Sequence, residues 1–561
     1  MTGLARPAPN NKIAKTVEMN HTDKPSQNGD AREILIVGGG AAGWMTAAYL
    51  AKHLGTRQNG GPKITLLESP EIGIIGVGEG TFPTIRNILR SLGIDEAEFM
   101  RGSHATFKQG IRFDDWEVAP QRDENGILKH SDYFHPFEAP YWSREELNLL
   151  PYWLIQDKET RPPFAQAVTF QKKIADAGLA PKGLHQGNFQ GPLNYAYHFD
   201  AHRFAGVLAK FARDLGVRHL SGNLTGTTLG ADGSIDHIIT AEHGALQADL
   251  YVDCTGFRAE LIGAAMKSGF KPIRDVLFTD RAMTVQVPYG KPDGKLESYT
   301  ISSAHEAGWT WDIALSDRRG IGYVYSSDYT TDERAEEVLR EYVGRTSDAD
   351  ITPRRISFTA GYRPQQWVKN CVAVGLSAGF LEPLESTGMV LIESAVNKIV
   401  EFFPFSGPAD TSAHIFNDLM TRRYDTIIGF IKLHYCLSKR EEPFWADNRK
   451  PETIPEHLRE LLVLWKLRPP SRFDFVLDHE SFAFFSYQYI LYGMNFETDY
   501  EAARGSLQST RLADQLFARI ISFGEQASKD LMPHRNLVDA VYKDGFVERQ
   551  PPAKPLITRK A

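Results

Sequence analysis

Two carboxylates and a run of small residues share one turn of this chain. Gly375–Gly388 reads GLSAGFLEPLESTG, in which Glu382 and Glu385 precede Ser386, Thr387 and Gly388. The apolar run Cys371–Val374 before it reads as a buried strand, and Met389–Phe403 after it places Leu391, Ala395, Ile399 and Phe403 on one helix face. A helix start rich in N–H groups and hydroxyls is a seat for an anion. A carboxylate beside that seat can move a proton, although acidic residues also suit an ordinary first helical turn. Lys108, in His104-Ala105-Thr106-Phe107-Lys108, is a second candidate. Desolvated, its amine becomes a nucleophile or a hydrogen-bond donor to an electrophile; in solvent it is only a surface charge. His135 and Phe137 lie in the aromatic cluster Tyr133–Phe137, which is either a packed loop or one wall of a site for a flat ligand. Tyr435, Glu441, Phe444 and Trp445 fall in HYCLSKREEPFWADN (434–448), whose rings, carboxylates and amide suit an aromatic substrate. Trp309 and Trp311 share a face with Ile313 if WTWDI is a strand, making an indole wall or an ordinary core strand.

These residues need a scaffold. Ile34–Val37 is a β-branched run leading into Gly38-Gly39-Gly40-Ala41-Ala42-Gly43 and a helical stretch, Trp44–Leu54. That is G-x-G-x-x-G between strand and helix: Gly38 for the tight turn, Gly40 for close approach of a pyrophosphate, Gly43 for helix–strand packing. The next strand, Lys63–Leu67, ends on Glu68, placed to accept from a ribose hydroxyl. Glu71–Thr84 is a glycine-rich loop that permits close backbone approach to a ligand. Further strands are expected at Gly110–Phe113, Tyr195–Phe199, Asp249–Thr255 and Gly322–Ser326, with a helix at Ala201–Leu215 capped by Asp200. From Met389 onward helical patterns dominate, over Ala413–Tyr435, Pro455–Trp465 and Thr510–Ala527.

At 561 residues the chain exceeds one ordinary domain. A formal net charge of −7 argues against nucleic acid or an anionic membrane surface as partner. Three scattered cysteines, Cys254, Cys371 and Cys436, offer neither a disulfide framework nor zinc spacing, so no metal and a reducing, cytoplasmic compartment are expected. No apolar run reaches the length of a membrane span. We expect a polar, disordered leader over 1–32, an α/β domain over 33–394 and a helical lobe over 395–561.

Taken together, GGGAAGWMTAAYL, GWTWDI and NCVAVGLSAGFLEPLESTG resemble the flavin-dependent tryptophan halogenases, over roughly Ile34 to Asn448. Where that family's motif usually ends in proline, Ala314 follows Ile313. The resemblance implies a Rossmann-type FAD-binding box related to aromatic hydroxylases, topped by a helical pyramid. It implies reduced FAD supplied by a separate flavin reductase, oxidation of chloride or bromide to hypohalous acid, and transfer of halogen to a small aromatic such as tryptophan, indole or an indole derivative. A homodimer is compatible with it. By motif match Lys108 holds or carries the halogen, Glu385 is the catalytic glutamate, and Thr387 and Gly388 bind halide. The flavin falls to Gly38, Gly40, Ala41, Ala42, Gly43, Glu68, Val77, Gly80, Leu376 and Ser386, with Trp309 and Trp311 as its wall. His135, Phe137, Tyr435, Glu441, Phe444 and Trp445 are the substrate candidates. A hydroxylase on the same scaffold, or a catalytically silent flavin-binding protein, are the alternatives. The pairing of Lys108 with Glu385 speaks against the silent reading.

Overall fold

The computed structural model describes residues 32–73, 78–141, 147–289, 294–406, 409–476 and 481–547. Residues 1–31 of the expected leader and Val77 lie outside them. A six-stranded sheet runs in the order 218–221, 63–68, 33–37, 250–253, 371–373, 367–368, parallel except for its last strand. Its central strands are apolar on both faces, as a sheet covered on two sides requires. The helix after the glycine turn spans Ala41–Leu54, three residues earlier than its apolar pattern indicates, because Gly40 caps it and Gly43 sits inside its first turn.

A seven-stranded sheet, ordered 354–357, 281–288, 318–325, 308–314, 300–305, 110–114, 132–136, forms a second layer. Trp311 pairs with Gly322 of the neighbouring strand, and a Cβ on that glycine would lie 2.1 Å from the indole. The absent side chain is what lets the ring lie over the strand. A small sheet, 79–80, 196–199 and 106–108, carries Lys108, whose partner across the ladder is Ala196.

Among the described residues no strand follows Phe380. Thr387–Glu401 is one continuous helix, so the 394/395 division falls inside it. Among the described residues Asp410–Cys436 is the longest helix, and the last, His534–Asp544, returns to the strand of Lys108. Among the described residues no helix is long and apolar enough to cross a membrane.

Candidate active site

The turn at 384–388 is built from a conformation that only a strong local demand sustains. Glu385 (φ 60°) and Ser386 (φ 56°) are consecutive non-glycine residues in the left-handed region, immediately before the helix from Thr387. The twist aims the two side chains at different partners. Ser386 Oγ accepts from Lys108 Nζ at 2.8 Å. Glu385 Oε1 lies 2.8 Å from His135 Nδ1 and 3.1 Å from His434 Nε2. Its Oε2 is buried with no hydrogen-bond partner among the described residues, which leaves one acceptor for a reacting group.

His434 Nδ1 donates to the Phe430 carbonyl at 2.9 Å. A carbonyl only accepts, so that nitrogen carries a proton, and Nε2 is the ring atom that faces Glu385 Oε1. Burial alone pushes the Glu385 carboxyl up, but His135 and His434 outweigh it and bring it to about 2. Burial lowers Lys108 to about 7, against the opposing pull of Glu385. The lysine is 0% exposed, and its Nζ lies 5.3 Å from the centre of the Phe137 ring. Near neutral pH its amine thus exists substantially as the neutral base.

Two adjoining cavities meet at this turn. The larger, about 410 Å³, is lined by Gly38–Ala42, Glu68, Cys254, Leu376, Thr387 and Gly388. The smaller, about 170 Å³, is lined by Gly80, Trp309, Trp311, Ile313, Glu382, Glu385, Ser386 and Gly388. The glycine turn fits a dinucleotide. A Cβ at Gly43 would sit 1.8 Å from the Gly38 carbonyl oxygen, whereas at Gly40 it would meet nothing within 4 Å, so open space lies where a pyrophosphate approaches. Gly38 has φ +118°, which a side chain rarely adopts. Glu68 lies against Gly39 and within 3.0 Å of His219 Nε2, at the rim of the larger cavity. A Cβ on Gly80 would come within 2.9 Å of Lys108 Nζ.

The structure brings His135 and Phe137 to Lys108 and Glu385, and it places the candidates of residues 434–448 behind the indole wall or at the surface. Phe444 and Trp445 are 1% and 0% exposed and pack with Tyr435 and Trp116 in a closed aromatic cluster behind Trp309. Glu441 is exposed at the surface. Tyr435 donates to Glu382 at 2.7 Å and accepts from Trp309 Nε1 at 2.9 Å, so it fixes the indole wall from behind. Thr279 also donates to Glu382, and burial raises that carboxyl to about 7.

The aromatic surface beside Phe137 comes from elsewhere. Phe82 packs edge-on against Phe137 and Phe482, Phe482 stacks on Phe430, and Phe430 and Tyr489 adjoin His135. His434 and Phe430 are one helical turn apart, a spacing legible in the sequence, whereas the approach of Phe482 and Tyr489 depends on the chain's return from the helical lobe.

Residues 33–506 match the family model described as tryptophan halogenase. The chain is 36% identical to tryptophan 6-halogenase SttH of Streptomyces toxytricini over 483 residues, 82% of this chain and 89% of that protein. Its fold is similar to the tryptophan halogenase of Shewanella frigidimarina (TM-score 0.86, 37% identity, 92% of this chain and 98% of that one). It is also similar to Tar14, a tryptophan C-6 flavin-dependent halogenase from taromycin biosynthesis (TM-score 0.82, 35% identity, 91% and 99%).

Proposed function

The chain belongs to the tryptophan halogenase family and is a flavin-dependent halogenase, and from that premise we propose that it uses FAD, a halide and the Lys108–Glu385 pair to halogenate an indole-type aromatic. The observation that carries this reading is a desolvated lysine bonded to Ser386, with an ionised glutamate at the preceding position of the same strained turn, beside the cavity lined by the glycine box. When bound as reduced FAD, the flavin supplies the oxidising equivalents, drawn from oxygen, that convert chloride or bromide to hypohalous acid. A separate flavin reductase is the source of the reduced form.

Each residue then has a distinct task. Gly38–Gly43 and Glu68 hold the nucleotide. Leu376, Gly80 and Ser386 line the cavity for the ring system, and Trp309 and Trp311 form its indole wall. Thr387 and Gly388 offer the backbone N–H groups of a helix start to halide. Lys108 either donates a hydrogen bond to hypohalous acid or, as the neutral amine that burial favours, accepts halogen on nitrogen. Glu385, held between His135 and His434, takes the ring proton displaced by halogen. His135 and Phe137 flank the aromatic substrate, together with Phe82, Phe430 and Phe482. The relatives are halogenases rather than hydroxylases, which favours halogen transfer over oxygen transfer. The reaction is cytoplasmic in this reading.

The test is incubation with FAD, a flavin reductase, NADH, oxygen, bromide or chloride, and tryptophan or indole, followed by mass spectrometry. The reading predicts a product in which one halogen replaces hydrogen. Product gaining oxygen without halogen would establish the hydroxylase.

A further inference from the structure

Glu79 stands where the two cavities join and lines both. Its neighbours explain why its side chain is the one projecting there. Gly78 has φ +141°, and a Cβ on Gly80 would lie 2.5 Å from Ser386 Oγ. The backbone of Glu79–Gly80 is occupied in pairing with Phe199 and His198. A carboxyl is a costly choice for the single side chain of such a segment unless something in the cavity needs it. Among the described residues it has no hydrogen-bond or ion-pair partner in the chain, whereas Glu382 has two hydroxyl donors and Glu385 two histidines.

The charge around it is also one-sided. The smaller cavity presents Glu382 and Glu385 with Arg354, and the larger presents Glu68 and Glu260 with Arg258. Lys108 lies beyond Gly80, engaged with Ser386. His198, on the paired strand, is buried and pushed well below its usual range by that burial and by Lys108. No cation is therefore bonded to Glu79.

Two-electron reduction changes a flavin in a way that such a group senses, because the oxidised ring is neutral and the reduced ring readily carries a negative charge. We propose that the Glu79 carboxyl is the group by which this site distinguishes reduced from oxidised flavin: it opposes the reduced anion when ionised and ceases to oppose it when protonated. The inference rests on the flavin reading above. Burial alone raises this carboxyl to about 7, so both forms are accessible across the range in which the enzyme would work.

The test compares the parent chain with Glu79→Gln, which keeps the shape and removes the charge. Dissociation constants of FAD and of anaerobically reduced FAD are measured by fluorescence at pH 6 and pH 8. At pH 8 the ratio of reduced to oxidised dissociation constants is expected to be at least about fivefold lower in the variant, and at pH 6 the two proteins converge. Glu79→Ser, a second neutral variant of different shape, should move the ratio in the same direction. A loss equal for both redox states, or a ratio unmoved at both pH values, overturns the inference while leaving the flavin reading intact. A parent chain that binds neither form overturns both.

Discussion

Lys108→Met should stabilise the protein while disabling it. A lysine whose pKa falls from 10.5 to about 7 on burial is charged in the unfolded chain and penalised in the folded one. The penalty is complete below pH 7, shrinks as pH rises from 7 to 10.5, and vanishes above that. At pH 7 it amounts to about 4 kcal/mol and at pH 9 to about 2 kcal/mol. Methionine fills the same space without the charge, but it forfeits the 2.8 Å bond to Ser386, worth about 1 kcal/mol. The net expectation is a gain of about 3 kcal/mol at pH 7 and about 1 kcal/mol at pH 9. For a chain of this length that corresponds to a melting-temperature increase of roughly 3 °C at pH 7, falling to roughly 1 °C at pH 9. Differential scanning fluorimetry of parent and variant across pH 6.5–9.5 reads it directly. A variant less stable than the parent at pH 7, or a difference that does not narrow with pH, would refute the desolvated lysine.

Three other substitutions address the remaining parts of the site. Glu385→Gln keeps the size of the side chain but removes the charge facing His135 and His434, and should slow halogenation by at least about a hundredfold without loss of flavin binding; unchanged turnover would remove its proton role. Gly43→Val drives a Cβ into the Gly38 carbonyl, 1.8 Å away, so the purified variant should be colourless after FAD treatment, and retained yellow colour would contradict the packing argument. His534 accepts from the Phe107 backbone N–H at 3.1 Å and donates to the Leu296 carbonyl at 3.0 Å. His534→Ala orphans the Leu296 carbonyl and the Phe107 N–H next to Lys108 at about 1–3 kcal/mol each, so melting temperature and turnover should fall together; an unaffected turnover would mean that the helix His534–Asp544 does not hold the lysine's strand in place.

Local patterns were the legible part. The glycine turn, the strand that precedes it and the helix that follows are set by short-range sterics, and residues 33–68 fold as their pattern indicates, apart from the early helix start that Gly40 allows. The alternation of Trp309, Trp311 and Ile313 likewise marked one strand face. Glu385 and Lys108 came from motif resemblance; neither spacing nor composition indicates that Lys108 bonds Ser386, 278 positions away and next to Glu385. The packing of residues 434–448 was not legible: rings and carboxylates that suit a ligand pocket also suit a core, and the contact of Trp116 with Trp445, itself packed on Phe444, comes from a distant part of the chain. Phe82, Phe482 and Tyr489 went unnoticed because each reaches the site through a long-range chain return that leaves no periodic trace.

The central claim is that Lys108 conveys halogen from the flavin cavity to the substrate, and a paired assay tests it most directly. Parent and Lys108→Ala proteins, each shown to bind FAD, are supplied with a flavin reductase, NADH, oxygen, bromide and tryptophan or indole, and brominated product is quantified by mass spectrometry. The account predicts brominated product from the parent and none above background from the variant, with flavin binding retained. Bromination by the variant at the parent's rate would contradict it.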